Sequence, residues 1–254
     1  MREQGRHTAT AHRARAVRGW LRVLPALLCL ALALPALADS SKDPLEPLNR
    51  PIFAVNDAVD RWALRPIARG YDTVMPQVAQ RGVGNMFANL YDVTSAVNSV
   101  LQWRWGGFAR SSGRVLVNST LGILGLVDVA TPMGIEPTRT DFGQTLALWG
   151  VPEGPYLMLP LFGPRTVRSG TGTLVDTFTF SVPPYLNDRS VRNWIWGIEL
   201  VHGRARLLES DTLVTGDRYI FVRDAYLQQR AAFVNDGEVV DEFSDFEDGW
   251  DEEF

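Results

Sequence analysis

The sequence predicts a mainly α-helical protein, and three observations predict it. Apolar residues recur at spacings of three and four along most of the chain. Sustained two-residue alternation and Asn-Gly hairpin turns, the usual marks of strands, are scarce. Asn, Asp and Pro stand where helices begin and end. The 254 residues allow one large domain or two small ones, with ample length for a core.

The N-terminus reads as a cleaved secretory signal over 1–38. Residues 1–22 hold six arginines against one acid, Glu3, and residues 23–38 are uncharged. Ala36-Leu37-Ala38 then places small residues where a signal peptidase would cut before Asp39. Cleavage leaves nineteen basic and twenty-eight acidic residues, a net charge near −9. That balance disfavours nucleic acid as a partner.

One domain is expected over 39–235. Residues 39–47 are polar and proline-containing, an extended arm. Asn49 can cap a helix with Pro51 in its first turn, and Ile52, Val55, Val59 and Trp62 follow helical spacing. Pro66 stops that helix and opens another carrying Ile67, Tyr71, Val74 and Met75. The clearest amphipathic helix covers 83–101, where Val83, Met86, Phe87, Leu90, Val97, Val100 and Leu101 recur at three and four. Further helices are expected over 108–117, over 190–209 with Asp188 in the cap region, and over 217–234 after Gly216. The segment 236–254 holds ten acids, no base, and Phe243, Phe246, Trp250 and Phe254. It reads as a disordered, solubilising tail, with docking on a basic partner as the sharper alternative.

The segment 118–163 is the most informative part of the chain. Its forty-six residues carry five charges, Asp128, Glu136, Arg139, Asp141 and Glu153, so most of it must leave water. Glycines, prolines and those charges break it well short of the roughly twenty apolar residues a membrane span requires. It therefore reads as a repeatedly bent element, buried in protein or lying at a lipid boundary.

Catalytic signals are weak. Asp141-Phe142-Gly143 matches a kinase triplet, but the phosphate loop and catalytic loop that accompany it in kinases are missing. The one cysteine, Cys29, falls inside the signal, and His202 is the one histidine of the mature chain, so a metal cluster or a serine-hydrolase triad lacks material. His202 reads as an ordinary half-buried helix position. The chain is expected not to be an enzyme and to need no cofactor. Arginine dominates the mature bases, eighteen against one lysine. Arg110, Arg114, Arg139, Arg165 and Arg168 flank the apolar segment, where a guanidinium can grip phosphate. Trp103 and Trp105 beside Arg104 have the composition of a membrane–water interface, and Leu161 and Phe162 join them as interface candidates.

These residues resemble the MlaA/VacJ family of outer-membrane phospholipid-transport proteins. The match begins at Asp43-Pro44-Leu45-Glu46-Pro47-Leu48-Asn49-Arg50, with Phe53 and Asn56, and runs through Arg65-Pro66 and Asn85-Met86-Phe87-Ala88-Asn89-Leu90. The most diagnostic blocks are Val117-Asn118-Ser119-Thr120-Leu121-Gly122, Asp128-Val129-Ala130-Thr131, Asp141-Phe142-Gly143-Gln144-Thr145-Leu146, Gly154-Pro155-Tyr156 and Leu159-Pro160-Leu161-Phe162-Gly163-Pro164. The resemblance covers residues 43–176 and fades through the C-terminal helices.

The resemblance implies a single ring-like helical domain with an amphipathic central channel, lying in the inner leaflet of the outer membrane. It implies a non-enzymatic conduit that takes mislocalised phospholipid from the outer leaflet to a soluble periplasmic lipid carrier, with a porin trimer as membrane partner. Gly122 and Gly125 let the Ile123-Leu124 turn bend sharply or gate an opening, with tight helix packing as the alternative. Together with Arg114 and Arg139 they are the lipid-path or gating candidates. An adaptor that binds porins without conducting lipid, and a periplasmic lipid hydrolase, are the other classes weighed. One departure concerns attachment. Family members carry a lipid-modified cysteine at the mature N-terminus, but Cys29 follows bulky Leu28 mid-signal, so cleavage after Ala38 without an acyl anchor is expected.

Overall fold

A long, nearly continuous helical rod opens the fold of the computed structural model, which describes residues 43–236. The expected signal, and the acidic tail beyond Asp236, lie outside the described residues. Helix α1 (Glu46–Val59) runs through a widened turn, Asp60–Leu64, straight into α2 (Arg65–Val74). Pro66 does not stop the helix as the sequence suggested. A proline ring lacks an N–H and crowds the carbonyl four residues back. Here the preceding turn is widened so that the Arg65 N–H bonds the Asp60 carbonyl, five residues back.

Asn49 is not the cap expected of it either. It lies buried inside α1 and donates to the Tyr156 carbonyl at 3.0 Å while accepting from the Met158 N–H at 2.9 Å. Asn56, two turns on along the same face, does the same for the Leu159 carbonyl and the Leu161 N–H, both at 2.9 Å. Two amides thus serve as hydrogen-bond partners for the edge of β1 (Tyr156–Leu159). That strand pairs antiparallel with β2 (Gly163–Thr166), Tyr156 opposite Thr166 and Leu159 opposite Gly163. The hairpin is the one sheet among the described residues. Side-chain amides cover an edge that would otherwise present unpaired backbone groups.

The most extensively packed pair is α3 (Gln77–Leu101) and α4 (Trp105–Thr120), joined by a tight turn in which Trp103 adopts φ 58°. The apolar stripe of α3 is its half-buried face. Its fully buried residues are Asn89, Asp92, Thr94, Ser95, Asn98 and Ser99. Some meet small or polar positions of α4: Asn89 donates to the Ser119 hydroxyl at 2.9 Å, and a Cβ at Gly107 would stand 2.9 Å from Ser99 Oγ; Ser95 and Asn98 instead bond Thr140 and Asp176. The greasy side of the same hairpin instead lines an open groove of about 520 Å³, walled by Val93, Val97, Val100, Leu101, Phe108 and Leu116 among others.

Beyond α4 the chain turns sharply at 121–125 and passes a 3₁₀ turn, Thr131–Met133, before α5 (Phe142–Leu148), which Asp141 caps through the Gln144 N–H at 2.7 Å. Helix α6 (Val167–Val175) starts in a Thr166–Ser169 capping box. Asp188 caps α7 (Arg189–Ala205), and Asp217 caps α8 (Arg218–Val234), each with a side-chain oxygen on the first-turn N–H groups. These two helices stand where the periodicity placed them.

Polarity is inverted relative to an ordinary soluble domain. Among the described residues ten hydrophobic residues are buried against twenty polar or charged ones. The apolar clusters are small: Phe142, Leu146, Val151 and Val175 form one, and Tyr156, Met158 and Tyr219 the other. A large exposed apolar surface marks a binding or membrane face. Leu124 is 76 % exposed and Trp103 77 %.

Candidate functional site

The inward polar surface opens into a pocket of about 570 Å³ between α2, α3, α7 and the 128–139 loop. One wall is built by Arg114, which is 3 % exposed. Its Nε donates to Asp92 at 3.0 Å, Nη1 to Thr131 Oγ1 at 2.9 Å and the Ile135 carbonyl at 2.7 Å, and Nη2 to Asp128 at 3.2 Å. Asn118 adds the other half of this network, accepting from the Val129 and Ala130 N–H groups at 2.9 and 3.0 Å. The diagnostic Asn118 and Asp128 motifs therefore fasten the apolar loop onto α4. A buried charge demands such a set of partners, because losing one strands another.

The carboxyls respond differently. Burial raises Asp92 above its usual value despite its bond from Arg114. Burial alone would raise Asp128 too, but hydrogen bonds from Thr131 and Arg114 carry it below.

Arg81, Arg139 and Arg206 also line the pocket, all three exposed, and none makes an ion pair within 4 Å among the described residues. His202 is 7 % exposed, not half-buried, and belongs to this pocket. Its Nδ1 lies 3.0 Å from the Tyr71 hydroxyl, Phe87 stacks on its ring, and Nε2 has no partner among the described residues. Burial, then the Arg206 charge, lowers its pKa, keeping it neutral at pH 7.

Further along α3, Tyr91 is 43 % exposed, yet burial pushes its hydroxyl up to about 12, with Asp141 and Asp176 adding to the rise. Nearby, a chain of hydrogen bonds runs from Gln102 through Thr145 and Asn98 to Asp176, each 2.9 Å, and Asp176 also accepts from the Phe142 N–H at 2.8 Å.

The other sequence candidates fall on the exterior or in tight turns. Gly122 is buried, and a Cβ there would collide with the Val127 carbonyl. Gly125, at φ 87°, would place a Cβ 2.8 Å from that of Asn89. Ile123 and Leu124 adopt φ 53° and 56° and face outward. Gly125 thus serves both the bend and close packing, and Gly122 close packing. Trp103 and Trp105 are exposed and meet edge to face at 6.1 Å. Leu161, at φ 64°, and Phe162 form the exposed tip of the hairpin. The pocket brings Arg114 and Arg139 together and leaves the glycine turn and the aromatic tips outside it.

Fold and pocket together define a helical protein that turns apolar side chains outward and its hydrogen-bonding groups inward. The chain belongs to the MlaA lipoprotein family, which matches residues 41–233. It is 36 % identical to the intermembrane phospholipid transport system lipoprotein MlaA of Escherichia coli, over 78 % of this chain and 80 % of that protein. It is 33 % identical to the uncharacterized protein RP093 of Rickettsia prowazekii, over 76 % and 78 %. A solved structure, described as the structural basis for maintenance of bacterial outer membrane lipid asymmetry, superposes with a TM-score of 0.65 at 36 % identity, over 76 % of this chain and 99 % of that one.

Proposed function

We propose that this protein is the outer-membrane component of a phospholipid transport system, removing mislocalised phospholipids from the outer leaflet and passing them to a soluble periplasmic carrier. The inverted polarity carries the reading. A two-tailed lipid needs an apolar surface for its chains and a polar route for its headgroup, and one molecule here offers both. We take the helices to ring a hollow that the arginine-lined pocket opens into, with Tyr91 of α3 assigned to its wall. None of the helices among the described residues is long and apolar enough to cross a membrane. Attachment instead follows the exposed apolar strip along α4, from Trp105 through Phe108 to Leu116, and continues onto Leu124 in the turn that follows. The sixteen residues of α4 separate its two apolar ends by roughly 24 Å. Both ends meet one lipid surface when the helix lies along it, as in the inner leaflet of the outer membrane. A porin trimer is the proposed membrane partner, and no catalytic step is assigned.

Outer-leaflet phospholipid content in a strain lacking the protein tests the reading. It is expected to rise and to return to normal when this chain is supplied; no rise overturns the reading. An adaptor role is separated by Ala88→Trp, which fills the pocket: raised surface phospholipid with porin binding intact supports the conduit, and unchanged phospholipid supports the adaptor. The mature N-terminus, read by mass spectrometry, decides between cleavage before Asp39 and an acylated Cys29.

A further inference from the structure

We propose that the polar pocket is a phosphate-binding site in which Arg81, Arg139 and Arg206 hold the anion. The proposal deepens the transport reading and rests on it for one point, that the phosphate is a lipid phosphodiester.

Four arginines face three carboxylates across the pocket, in a chain whose net charge is −4. The pairing within that count is uneven. Arg114 already holds Asp92 and Asp128, and Asp72 accepts from the Gln80 amide at 3.1 Å. Each carboxylate thus has a protein donor, while the three remaining guanidiniums have no carboxylate within 4 Å among the described residues. Unpaired arginines converging on one concavity, walled by protein rather than spread over a flat surface, suit a divided-charge oxyanion that accepts bidentate bonds.

His202 adds a buried polar group to the wall of the same pocket. A ring nitrogen buried without a partner costs free energy. Nε2 packs against Gly84, where a Cβ would stand 3.1 Å away, and is closed off from solvent, so the ring forms part of the pocket wall and no bond to the anion is assigned to it.

The test uses the purified full chain in a mild non-ionic detergent and calorimetric titration with three probes: dihexanoyl phosphatidylglycerol, inorganic phosphate, and dihexanoylglycerol, which lacks the phosphate. The expected result is saturable binding of the phospholipid, none of the diacylglycerol, and at least a tenfold loss in each of Arg81→Gln, Arg139→Gln and Arg206→Gln. Circular dichroism confirms folding, which these exposed side chains do not hold. Inorganic phosphate bound as tightly as the lipid, with the same arginine dependence, overturns the lipid source. Phospholipid binding unchanged in all three variants overturns the pocket while leaving the transport reading intact. No phospholipid binding by the unsubstituted protein contradicts the transport reading itself.

Discussion

Arg114→Met removes the charge of the buried network while keeping most of the apolar stem. The structure sets the size of the effect. Four hydrogen bonds are lost at once, and Asp92, 3 % exposed, keeps a carboxylate with no counter-charge. Stranding one partner of a buried pair costs about 3–5 kcal/mol. For a domain of this size that lowers the melting temperature by on the order of 10 °C. Adding Asp92→Asn neutralises the stranded group, so the double variant is expected to recover about half of the loss, a coupling of roughly 2 kcal/mol. Urea unfolding of the four proteins in detergent gives the cycle. Hydrogen exchange at Val129 and Ala130, whose N–H groups are held by Asn118, is expected to show protection lost there first. A single-variant cost below about 1 kcal/mol, or a double variant that loses the sum of both singles, refutes the reasoning.

Asp176 provides a pH test. Burial raises its carboxyl from 3.8 to about 7, against the hydrogen bonds from Phe142 and Asn98. The folded state therefore binds more protons than the unfolded one between these values. Stability is expected to fall as pH rises from about 4 through 7, by at most about 4 kcal/mol, and to level off above. Asp176→Asn is expected to flatten that fall in urea midpoints measured across the range; an unchanged slope contradicts the assignment. Gly125→Ala is expected to cost about 2 kcal/mol or more, from a left-handed backbone and the clash with Asn89. Gly134→Ala, at φ 82° with open space around it, is the control and is expected to cost only the backbone part; equal costs would remove the packing argument. The Trp103→Ser, Trp105→Ser double variant is expected to weaken co-flotation with phospholipid vesicles at least tenfold, and unchanged flotation removes these residues from the interface.

Helices α7 and α8 were legible because their caps, Asp188 and Asp217, stand just ahead of an amphipathic run. The amphipathic character of α3 was legible as well, but not which of its faces points inward. An apolar stripe by itself does not say whether it meets protein or lipid. The signal that identifies the buried face is the chemistry of the other stripe. Asn89, Asp92, Ser95, Asn98, Ser99 and Gln102 are short amides, hydroxyls and one acid, and Asp92 is the one charge between Arg81 and Arg104. A solvent-facing stripe carries lysine, arginine and glutamate; a stripe of short hydrogen-bonding groups is made to pair inside protein. The roles of Asn49 and Asn56 were hidden because a side chain that mimics a strand neighbour leaves no periodicity. Arg81 and Arg206 were hidden for a different reason: they meet only when α3 and α7 are brought together. His202 was visible as a lone histidine, but its unpaired nitrogen exists only in three dimensions.

The central claim is that lipid travels through the hollow that α3 faces. A photo-crosslinking residue in place of Tyr91, activated in living cells, tests it most directly, with the exposed Thr215 as the control position. The expected result is phospholipid covalently captured at Tyr91 and not at Thr215. Capture at neither position, or equal capture at both, would contradict the claim.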